Sequence, residues 1–332
     1  MEKIGQISNG VSKILITGGA GFIGSHLTEK LLQKGEEVFV LDNLSTGSEE
    51  NIKHLENNPK FHFIRGSVLD KDLVAQTVAK VDQIFHLAAA VGVKTVIDKP
   101  LESFLINIDG TKNILEAATI RKTPVLITSS SEIYGKNDKL PFKEEDDRIY
   151  GSAYHDRWGY GLSKGSDEFL GLAFFREKSL PVVIVRLFNV IGPRQKGAYG
   201  MVVPRFIKQA LNNEPVEVYG DGEQTRCFGY VGSVVNALIE LMGNKEKSYG
   251  QIFNVGSDEK ISIKDLAQKI IELIPQSNSK IKLIPYAQVY GENFEDMRDR
   301  QPDLSKIKKA INYQPLSLQE SLQKTIDYFK SH

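Results

Sequence analysis

Two residues four positions apart, Tyr160 and Lys164, are the ones in this chain best suited to acid–base chemistry. On a helix, that spacing places both side chains on one face. A free tyrosine has a pKa of about 10 and is a poor base at neutral pH. A nearby ammonium group favours the tyrosinate and lowers that pKa. The pair therefore predicts a tyrosine that takes a proton from a hydroxyl group and returns it.

A glycine-rich turn lies far upstream, between an apolar strand and a predicted helix. Gly19, Gly21 and Gly24 have the spacing G-x-G-x-x-G. Gly18 begins an overlapping pattern with Gly21 and Gly24, with the spacing G-x-x-G-x-x-G. Such glycines let the backbone approach a pyrophosphate, whose charge the N-terminal N–H groups of the helix then meet. Asp42 ends the second strand, where a carboxylate accepts hydrogen bonds from the adenosine ribose and repels a 2′-phosphate. The pattern predicts a dinucleotide site that prefers NAD to NADP.

Short apolar segments alternate with helical patterns through the first half of the chain. Because apolar and polar residues do not alternate strictly within these segments, both faces of their sheet are expected to be buried. The order predicts an α/β protein with a Rossmann-type, doubly wound parallel sheet. The predicted strands are Lys13–Thr17, Glu37–Leu41, Phe61–Arg65, Gln83–Leu87, Pro124–Ser129 and Pro181–Leu187. The predicted helices are Ser25–Lys34, Ser103–Ile120 and Gly159–Lys178.

The second half of the chain is less regular and predicts a smaller α/β substrate-binding lobe. We expect residues 12–188 to form mainly the NAD-binding domain and residues 189–330 mainly the lobe, with segments that return to the sheet. Asn189–Gly200 is predicted as a loop, and Phe142–Trp158 as a charged insertion, either a lid or a surface loop. Further predicted elements are the helices Val203–Leu211, Val231–Leu241, Ile263–Leu273, Leu304–Ile311 and Ser317–Phe329, and the extended segments Val216–Tyr219 and Gln251–Val255.

The composition narrows the class of protein. The chain has 332 residues, 41% of them apolar, enough for one large domain or a domain with a smaller lobe. Lysine plus arginine and aspartate plus glutamate number 42 each, so no basic excess points to a nucleic acid. The single cysteine, Cys227, favours a reducing compartment. We expect no signal peptide, no membrane helix and a cytoplasmic location.

A series of short motifs spans nearly the whole chain. In order they are Thr17–Gly24, Asp42–Asn43, His86–Ala89, Asn107–Thr111, Ser129–Gly135, Tyr160–Lys164, Arg186–Asn189, Gly192–Arg194, Tyr219–Gly222, Gln224–Arg226 and Arg300–Asp303. In this order they resemble the extended short-chain dehydrogenases/reductases, in the group of nucleotide-sugar epimerases, decarboxylases and dehydratases. The resemblance implies tightly held NAD, a UDP-sugar substrate and a homodimer packed through the helices Ser103–Ile120 and Gly159–Lys178.

The resemblance also implies which residues bind the cofactor. We expect Ser67 and Val68 at the adenine and Lys164 at the nicotinamide ribose, and we expect no metal site. The full set is Gly18, Gly21, Phe22, Ile23, Gly24, Asp42, Asn43, Ser67, Val68, Leu87, Ala88, Ala89, Asn107, Tyr160 and Lys164.

The implied chemistry begins at C4 of the sugar. NAD takes the C4 hydride and leaves a 4-keto sugar. Tyr160, Lys164 and Ser130 are the expected catalytic residues, with Ser130 bonding the substrate hydroxyl and relaying its proton. Glu132 is a further candidate, as a group that acts on the sugar or as a structural cap.

The triplet Ser130, Ser131 and Glu132 bears on the fate of the 4-keto sugar. In the resembling dehydratases it reads Thr-Asp-Glu, so Ser131 argues against dehydration. In UDP-glucuronate decarboxylases it reads Thr-Ser-Glu, and a 4-keto uronate is a β-keto acid that readily loses CO2. Other stretches resemble bacterial UDP-glucose and UDP-glucuronate 4-epimerases. These are Ala88–Lys94, Gly192–Gln195 with Tyr199–Phe206, and Gly291–Met297.

The leading hypothesis is therefore an NAD-dependent UDP-sugar 4-epimerase that acts on UDP-glucuronate or UDP-glucose. The alternative is a UDP-glucuronate decarboxylase that forms UDP-xylose. A sugar-nucleotide 4,6-dehydratase is less favoured. A non-catalytic NAD-binding regulator is also less favoured, because it would not need Ser130, Tyr160 and Lys164.

The resemblance assigns a further set of residues to the UDP-sugar. Arg226 and Arg300 match the diphosphate arginines, since guanidinium groups bind phosphate oxygens in a bidentate manner. Asp303 matches the uridine ribose contact, Asn189 a diphosphate or sugar contact, and Arg186 is a candidate for reading a uronate carboxylate. The full set, in which the valines and the phenylalanine frame the base, is Lys94, Ser130, Ser131, Arg186, Asn189, Val203, Phe206, Val218, Tyr219, Arg226, Arg300 and Asp303.

Overall fold

A seven-stranded parallel sheet forms the centre of the molecule, whose computed structural model describes residues 11–91, 98–197, 201–290 and 297–332. Its strands are β1 (Lys13–Thr17), β2 (Glu37–Asp42), β3 (Phe61–Arg65), β4 (Gln83–His86), β5 (Val125–Ser130), β6 (Val182–Leu187) and β11 (Gln251–Val255). In space their order is β3-β2-β1-β4-β5-β6-β11, and every pair is parallel. This is the Rossmann order extended by one strand, which confirms the predicted fold class.

The central strand β1 shows why the sheet is covered on both faces. Ile14 and Ile16 point into one apolar cluster, and Leu15 points into a separate cluster on the other face. All three are almost fully buried. A strand with both faces buried needs apolar residues at successive positions rather than at alternate ones. The continuous apolar segments in the sequence are therefore explained by helices on both sides.

Helices cover the sheet and fill the second half of the chain. They are α1 (Phe22–Gln33), α2 (Lys71–Val78), α3 (Pro100–Arg121), α4 (Gly159–Lys178), α5 (Val202–Leu211), α6 (Val231–Gly243), α7 (Lys245–Ser248), α8 (Ile263–Glu272), α9 (Tyr286–Tyr290), α10 (Ser305–Ala310) and α11 (Leu318–Ser331). Short 3₁₀ turns occur at Glu49–Asn51, Lys53–Leu55, Ser131–Tyr134 and Asp156–Trp158. The two long helices α3 and α4 pack side by side. Within the described ranges, no helix is long and apolar enough to cross a membrane.

The topology places a crevice at the carboxyl ends of the strands. Thr17 at the end of β1 is paired with Leu41 on one side and with His86 on the other. The chain proceeds outward from β1 to β3 and then crosses back to β4, so the connections above β1 and β4 diverge. Ligands of doubly wound sheets bind at such a switch point. The chemistry-bearing ends of β1, β4 and β5 all open onto it.

The second half of the chain builds three small ribbons and a third apolar cluster within the described residues. The ribbons pair β7 (Val190–Ile191) with β10 (Gly229–Tyr230), β8 (Val216–Tyr219) with β13 (Ile281–Ile284), and β9 (Thr225–Cys227) with β12 (Lys260–Ser262). The apolar cluster joins residues of α5, α8 and α11, including Phe206, Leu266 and Leu322. In contrast, β11 leaves this region and pairs with β6 in the central sheet.

Several parts of the fold differ from the sequence-based expectation, and the segment predicted as the loop Asn189–Gly200 contains strand β7. Helix α2 was not predicted, although Asp70 caps it by accepting a hydrogen bond from the Leu73 N–H at 3.0 Å. The segment 142–158 is not a free surface loop, because Phe142 and Trp158 are both buried in one aromatic cluster. Phe142 stacks on Tyr134 with ring centres 4.5 Å apart. Both ends of the segment are thereby anchored beside the crevice.

Candidate active site

A cavity of about 980 Å³ occupies the crevice and continues beneath the smaller ribbons. Its wall contains residues from the ends of β1, β2, β4 and β5, from α4 and from the second half of the chain. The predicted site residues that line it are Gly18, Gly21, Phe22, Ile23, Gly24, Asp42, Asn43, Ser67, Val68, Leu87, Ala88, Ala89, Ser130, Ser131, Glu132, Tyr160, Lys164, Asn189, Val203, Tyr219, Arg226 and Arg300. Most of the predicted cofactor and substrate residues thus share one space.

The glycine turn between β1 and α1 is packed too tightly for side chains. Gly18 has a φ of +73°, a left-handed conformation that favours glycine. A Cβ on Gly24 would lie 2.1 Å from the carbonyl oxygen of Gly18. The Asp42 carboxylate closes the turn from β2 by accepting hydrogen bonds from the N–H groups of Ala20 at 2.9 Å and Leu44 at 2.8 Å. The motif therefore folds as a dinucleotide-binding turn requires.

These features fit an NAD molecule in the crevice. The N-terminus of α1 has no side-chain cap, so its first N–H groups are available to a pyrophosphate. Asp42 lies in the cavity wall, where its oxygens can accept further hydrogen bonds from a ribose. Burial raises the pKa of the Asp42 carboxyl, whereas the N–H groups of Leu44 and Ala20 oppose that rise.

Tyr160 and Ser130 form the centre of the predicted chemistry. Ser130 ends β5, Tyr160 lies in the first turn of α4, and a hydrogen bond links their hydroxyl groups. The Ser130 Oγ also accepts a hydrogen bond from the Glu132 N–H at 3.2 Å, which fixes its orientation. Burial and the negative charge of Glu132 raise the pKa of Tyr160 above its ordinary value. The sequence-based prediction of a lowered tyrosine pKa depended on Lys164 together with a bound nicotinamide ring, whereas in the protein chain alone the pKa of Tyr160 is raised.

Lys164 lies one turn along α4 from Tyr160 and is paired with a carboxylate. Its Nζ donates to Asp167 Oδ2 at 2.8 Å, and the two side chains are 2% and 0% exposed. Because Asp167 balances the ammonium charge, Lys164 favours the Tyr160 anion less than the sequence pattern suggested. Lys164 still lines the cavity.

Glu132 lies between two arginines in the cavity wall. Its Oε2 lies 2.5 Å from Arg157 Nη1, and its Oε1 lies 2.5 Å from Arg300 Nη1. Burial alone would raise the pKa of Glu132, but the charges of Arg157 and Arg300 hold it well below its ordinary range. Glu132 is thus an ionised carboxylate at neutral pH. With Arg226 also in the cavity wall, this part of the site carries a positive excess.

Arg157 is a site residue that the sequence analysis missed. It lies in the 3₁₀ turn Asp156–Trp158, which leads directly into α4, and it lines the cavity. Its position three residues before Tyr160 was the available signal, since residues three apart in a helical turn share a face. The sequence-based interpretation of this segment as a lid or loop concealed that signal.

Arg205 also lines the cavity and was not predicted. It extends from α5 over the ring of Tyr219, with its guanidinium carbon 3.7 Å from the ring centre. Such a stack orders both side chains at one wall of the cavity. Tyr219 was predicted at this wall, whereas its partner was not.

Arg186 takes a different position from the one expected. It is 1% exposed, it is not part of the cavity wall, and its guanidinium donates to both Glu168 oxygens at 2.9 and 2.8 Å. It also donates to the Tyr134 hydroxyl and to the Glu144 carbonyl, each at 2.9 Å. This geometry argues against the expectation that Arg186 reads a sugar carboxylate. The residue instead neutralises a buried carboxylate between β6 and α4.

Asn107, a predicted cofactor-binding residue, does not line the cavity. Its side chain accepts a hydrogen bond from the Ala90 N–H at 2.8 Å and donates to Ser163 Oγ at 3.0 Å. It therefore joins helix α4 to residues 87–91 after β4, a segment that we call the cofactor loop because Leu87, Ala88 and Ala89 are predicted to bind NAD.

Three other predicted substrate residues lie outside the cavity wall. Phe206 and Val218 are fully buried in the third apolar cluster, so they support the wall from behind. Asp303 Oδ1 accepts a hydrogen bond from the Ser305 N–H at 2.7 Å and orients the start of α10. The predicted contact Lys94 lies outside the described residues.

Comparison with known proteins agrees with this geometry. The family model described as the NAD dependent epimerase/dehydratase family matches residues 14–256. A UDP-N-acetyl-alpha-D-glucosaminuronate decarboxylase of Bacillus cytotoxicus is 44% identical over 320 residues, which cover 96% of this chain and 98% of that protein. UDP-glucuronic acid decarboxylase 1 of Danio rerio is 37% identical over 96% of this chain and 72% of its own length.

A solved structure has the same architecture. The UDP-glucuronic acid 4-epimerase of Bacillus cereus, in complex with UDP-glucuronic acid and NAD, superposes with a TM-score of 0.85 at 32% identity. The match covers 96% of this chain and 99% of the other. The glycine turn and the residues Ser130, Tyr160 and Lys164 line one cavity, and the family model matches most of the chain. This chain therefore belongs to the NAD-dependent epimerase/dehydratase family.

Proposed function

We propose that the protein is an NAD-dependent decarboxylase of a UDP-linked uronic acid, with UDP-N-acetylglucosaminuronate as the first substrate to test and UDP-glucuronate as the second. The observation that carries this proposal is the Arg157–Glu132–Arg300 cluster directly beside the Ser130–Tyr160 pair. The relatives favour this alternative over the leading sequence-based hypothesis of a 4-epimerase.

The proposed reaction begins with oxidation at C4, for which NAD supplies the hydride acceptor. Tyr160 takes the proton of the C4 hydroxyl as its anion, which the positive nicotinamide ring of bound NAD would favour, and Ser130 donates a hydrogen bond to the same oxygen. The resulting 4-keto uronate is a β-keto acid. When its C5–C6 bond breaks, the bonding electrons pass to the C4 oxygen as an enolate and C6 leaves as CO2. Tyr160 and Ser130 then stabilise the enolate oxygen, and C5 takes a proton from water. Bound NAD would also supply the hydride that returns to C4, while Tyr160 returns its proton to the C4 oxygen, so that a UDP-pentose forms and the cofactor is regenerated.

The arginine cluster supports a uronate rather than a neutral sugar. Arg157, Arg300 and Arg226 provide three positive charges near the sugar side, whereas Glu132 provides one negative charge. A diphosphate and a sugar carboxylate are both anions that guanidinium groups bind well. Arg300 was expected at the diphosphate, but because it shares Glu132 with Arg157 we propose that it serves the carboxylate and leaves Arg226 for the diphosphate. Since Glu132 is ionised, it cannot serve as a proton donor in its resting state. We propose that it orients the two arginines around the carboxylate and keeps them from binding it too tightly.

Dehydration and epimerisation are different outcomes of the same first step. Ser131 is buried in the cavity wall, where a dehydratase of the resembling group has an aspartate that acts on C6. A hydroxyl cannot replace a carboxylic acid in that proton transfer. Epimerisation of a uronate is the second candidate function, because the similar Bacillus cereus structure holds UDP-glucuronic acid. That reaction retains C6, so the fate of the carboxylate separates the two.

A second copy of this chain is the proposed partner. Helices α3 and α4 expose apolar side chains on their outer faces, with Leu101 71%, Leu105 45%, Leu162 47% and Phe169 65% exposed. The spacings of four and seven residues place each pair on one helical face. We propose that these faces pack against their equivalents in a homodimer.

The first prediction concerns CO2 release. With NAD present, the protein should release one CO2 for each UDP-uronate consumed and form a UDP-pentose, as followed by proton NMR and trapped CO2. Tyr160→Phe should slow this by about 10²-fold or more, the usual effect of removing a general acid–base group. The matched variant Tyr154→Phe, at a side chain 97% exposed, should retain wild-type rates. A C4-inverted uronate without CO2 would establish epimerisation and refute the proposal.

The second prediction separates Glu132 from the oxidation step. Glu132→Gln should still oxidise C4, because Tyr160 and Ser130 are intact, but should release CO2 at least about 10-fold more slowly. Reduced nicotinamide should then accumulate and be visible at its near-ultraviolet absorbance band. The exposed Glu223→Gln variant is the matched control. Equal CO2 release by wild type and Glu132→Gln would limit Glu132 to a structural role.

The third prediction concerns cofactor choice. Asp42→Ala should weaken NAD binding by about 10-fold, since a charged hydrogen-bond acceptor is lost. NADP binding should weaken less, because the variant no longer repels a 2′-phosphate. Isothermal titration with each cofactor measures both changes, and Asp138→Ala, at an exposed loop position, serves as control. An equal loss for NAD and NADP would contradict the assignment of Asp42 to the ribose.

The fourth prediction concerns assembly. Light scattering coupled to gel filtration should give the mass of a dimer for the wild type and of a monomer for Phe169→Glu, since a buried charge at an apolar interface is unfavourable. Leu283→Glu, at a position 52% exposed on β13, should remain dimeric. A wild-type monomer at micromolar concentration would refute the proposed partner.

A further inference from the structure

A buried hydrogen-bonded chain runs from the switch-point crevice to helix α4. Thr17 Oγ1, at the end of β1, lies 2.7 Å from His86 Nδ1 on β4. The other ring nitrogen, Nε2, lies 3.1 Å from Thr111 Oγ1 on α3. Thr111 in turn hydrogen-bonds to Asp167 on α4, which holds Lys164. Side chains from β1, β4 and α3 are thus linked in series to the Asp167 carboxylate on α4.

The Asp167 carboxylate, at one end of this series of hydrogen bonds, determines which group donates in each of them. The Asp167 carboxylate can only accept, so the Thr111 hydroxyl must donate to it. Thr111 Oγ1 therefore accepts from His86 Nε2–H, which leaves His86 Nδ1 as an acceptor for the Thr17 hydroxyl. At the far end, Thr17 Oγ1 accepts from the Ala88 N–H at 3.2 Å. The chain runs one way, from the cofactor loop at Ala88 to Asp167.

The charge state of His86 is consistent with this direction. Its side chain is 1% exposed, and burial together with the nearby Lys164 charge lowers the pKa of His86 to about 3. The ring is therefore neutral at physiological pH and has one donor and one acceptor nitrogen, as the chain requires. A charged imidazolium would have two donors and could not accept from Thr17.

The environment of Lys164 explains why it needs a fixed counter-charge. A lysine side chain has four rotatable bonds and an ammonium group that is strongly hydrated in water. Here the side chain is 2% exposed and lies in the cavity wall, so an unpaired ammonium would be costly. The bond to Asp167 uses one of its three N–H groups and leaves two for a ligand in the cavity.

We propose that Asp167 is the positioning residue for Lys164: it holds the ammonium group at the cavity wall where the nicotinamide ribose binds, and the Thr17–His86–Thr111 chain fixes Asp167 in turn. This inference rests on the proposed role of Lys164 at the ribose. The same chain begins at the Ala88 N–H in the cofactor loop, so it ties the shape of that loop to the placement of Lys164.

The test is a double-mutant cycle on NAD affinity, measured by isothermal titration on full-length chain stripped of nucleotide. Asp167→Asn keeps the size of the side chain and removes its charge. It should weaken NAD binding by about 10-fold in the wild-type background, since a charged hydrogen bond is lost. In the Lys164→Met background the same change should alter affinity less than about twofold, because the group that it positions is gone. Asp138→Asn, at an exposed loop position, is the matched control.

The outcomes separate positioning from general support of the fold. Equal weakening by Asp167→Asn in both backgrounds would show a structural role alone and overturn the proposal, as would wild-type affinity in either Asp167→Asn or Lys164→Met. Should Asp167→Asn fail to fold by circular dichroism, Thr111→Val replaces it. That variant keeps the ion pair and should weaken NAD binding by about fivefold, because Asp167 loses one of the hydrogen bonds that fix it, with the loss absent beside Lys164→Met. Because NAD binding is measured directly, the result is independent of which UDP-sugar is the substrate.

Discussion

The parallel pairing of β1 with β2 on one side and β4 on the other is the constraint that organises this structure. Because all strands of the central sheet are parallel, their carboxyl ends share one edge, and the divergence of the connections above β1 and β4 opens a crevice there. The glycine turn after β1, Asp42 at the end of β2 and Ser130 at the end of β5 all reach this space. The smaller ribbons of the second half of the chain then close it on one side.

The buried carboxylates in and around the site are each paired with a positively charged side chain. Three buried ionic groups lie on the elements that come after β5: Glu132 between Arg157 and Arg300, Glu168 with Arg186 and Arg148, and Asp167 with Lys164. A buried charge without a partner is strongly unfavourable, so each carboxylate has recruited a cation. The Glu168 group lies behind the cavity wall, whereas Glu132 and Lys164 line it. The same requirement for a counter-charge therefore applies both behind the cavity wall and within it.

Residues that belong to local motifs were the ones that could be predicted. The strand Lys13–Thr17, the helix Gly159–Lys178 and the glycine turn arise from periodicity and from backbone limits on side chains, both of which act over a few residues. Arg186 and Asp303 match a motif equally well, yet the structure places them at Glu168 and at the start of α10. The guanidinium of Arg186 bonds to groups on three other segments of the chain. A motif specifies where the backbone runs but not which buried charge a long side chain meets.

The sequence was sufficient to predict the fold class, the family and the glycine turn, because periodicity and short motifs depend on near neighbours in the chain, and it singled out Tyr160 and Lys164 as a candidate pair. The groups that surround that pair became known only from the folded molecule. Arg157 and Arg300 are separated by more than a hundred residues but meet on the two oxygens of Glu132, and Asp167 receives a chain of hydrogen bonds that starts at Thr17. Such contacts arise from how the strand ends converge. Long-range charge and hydrogen bonding, which no local pattern encodes, therefore set the chemistry of the site.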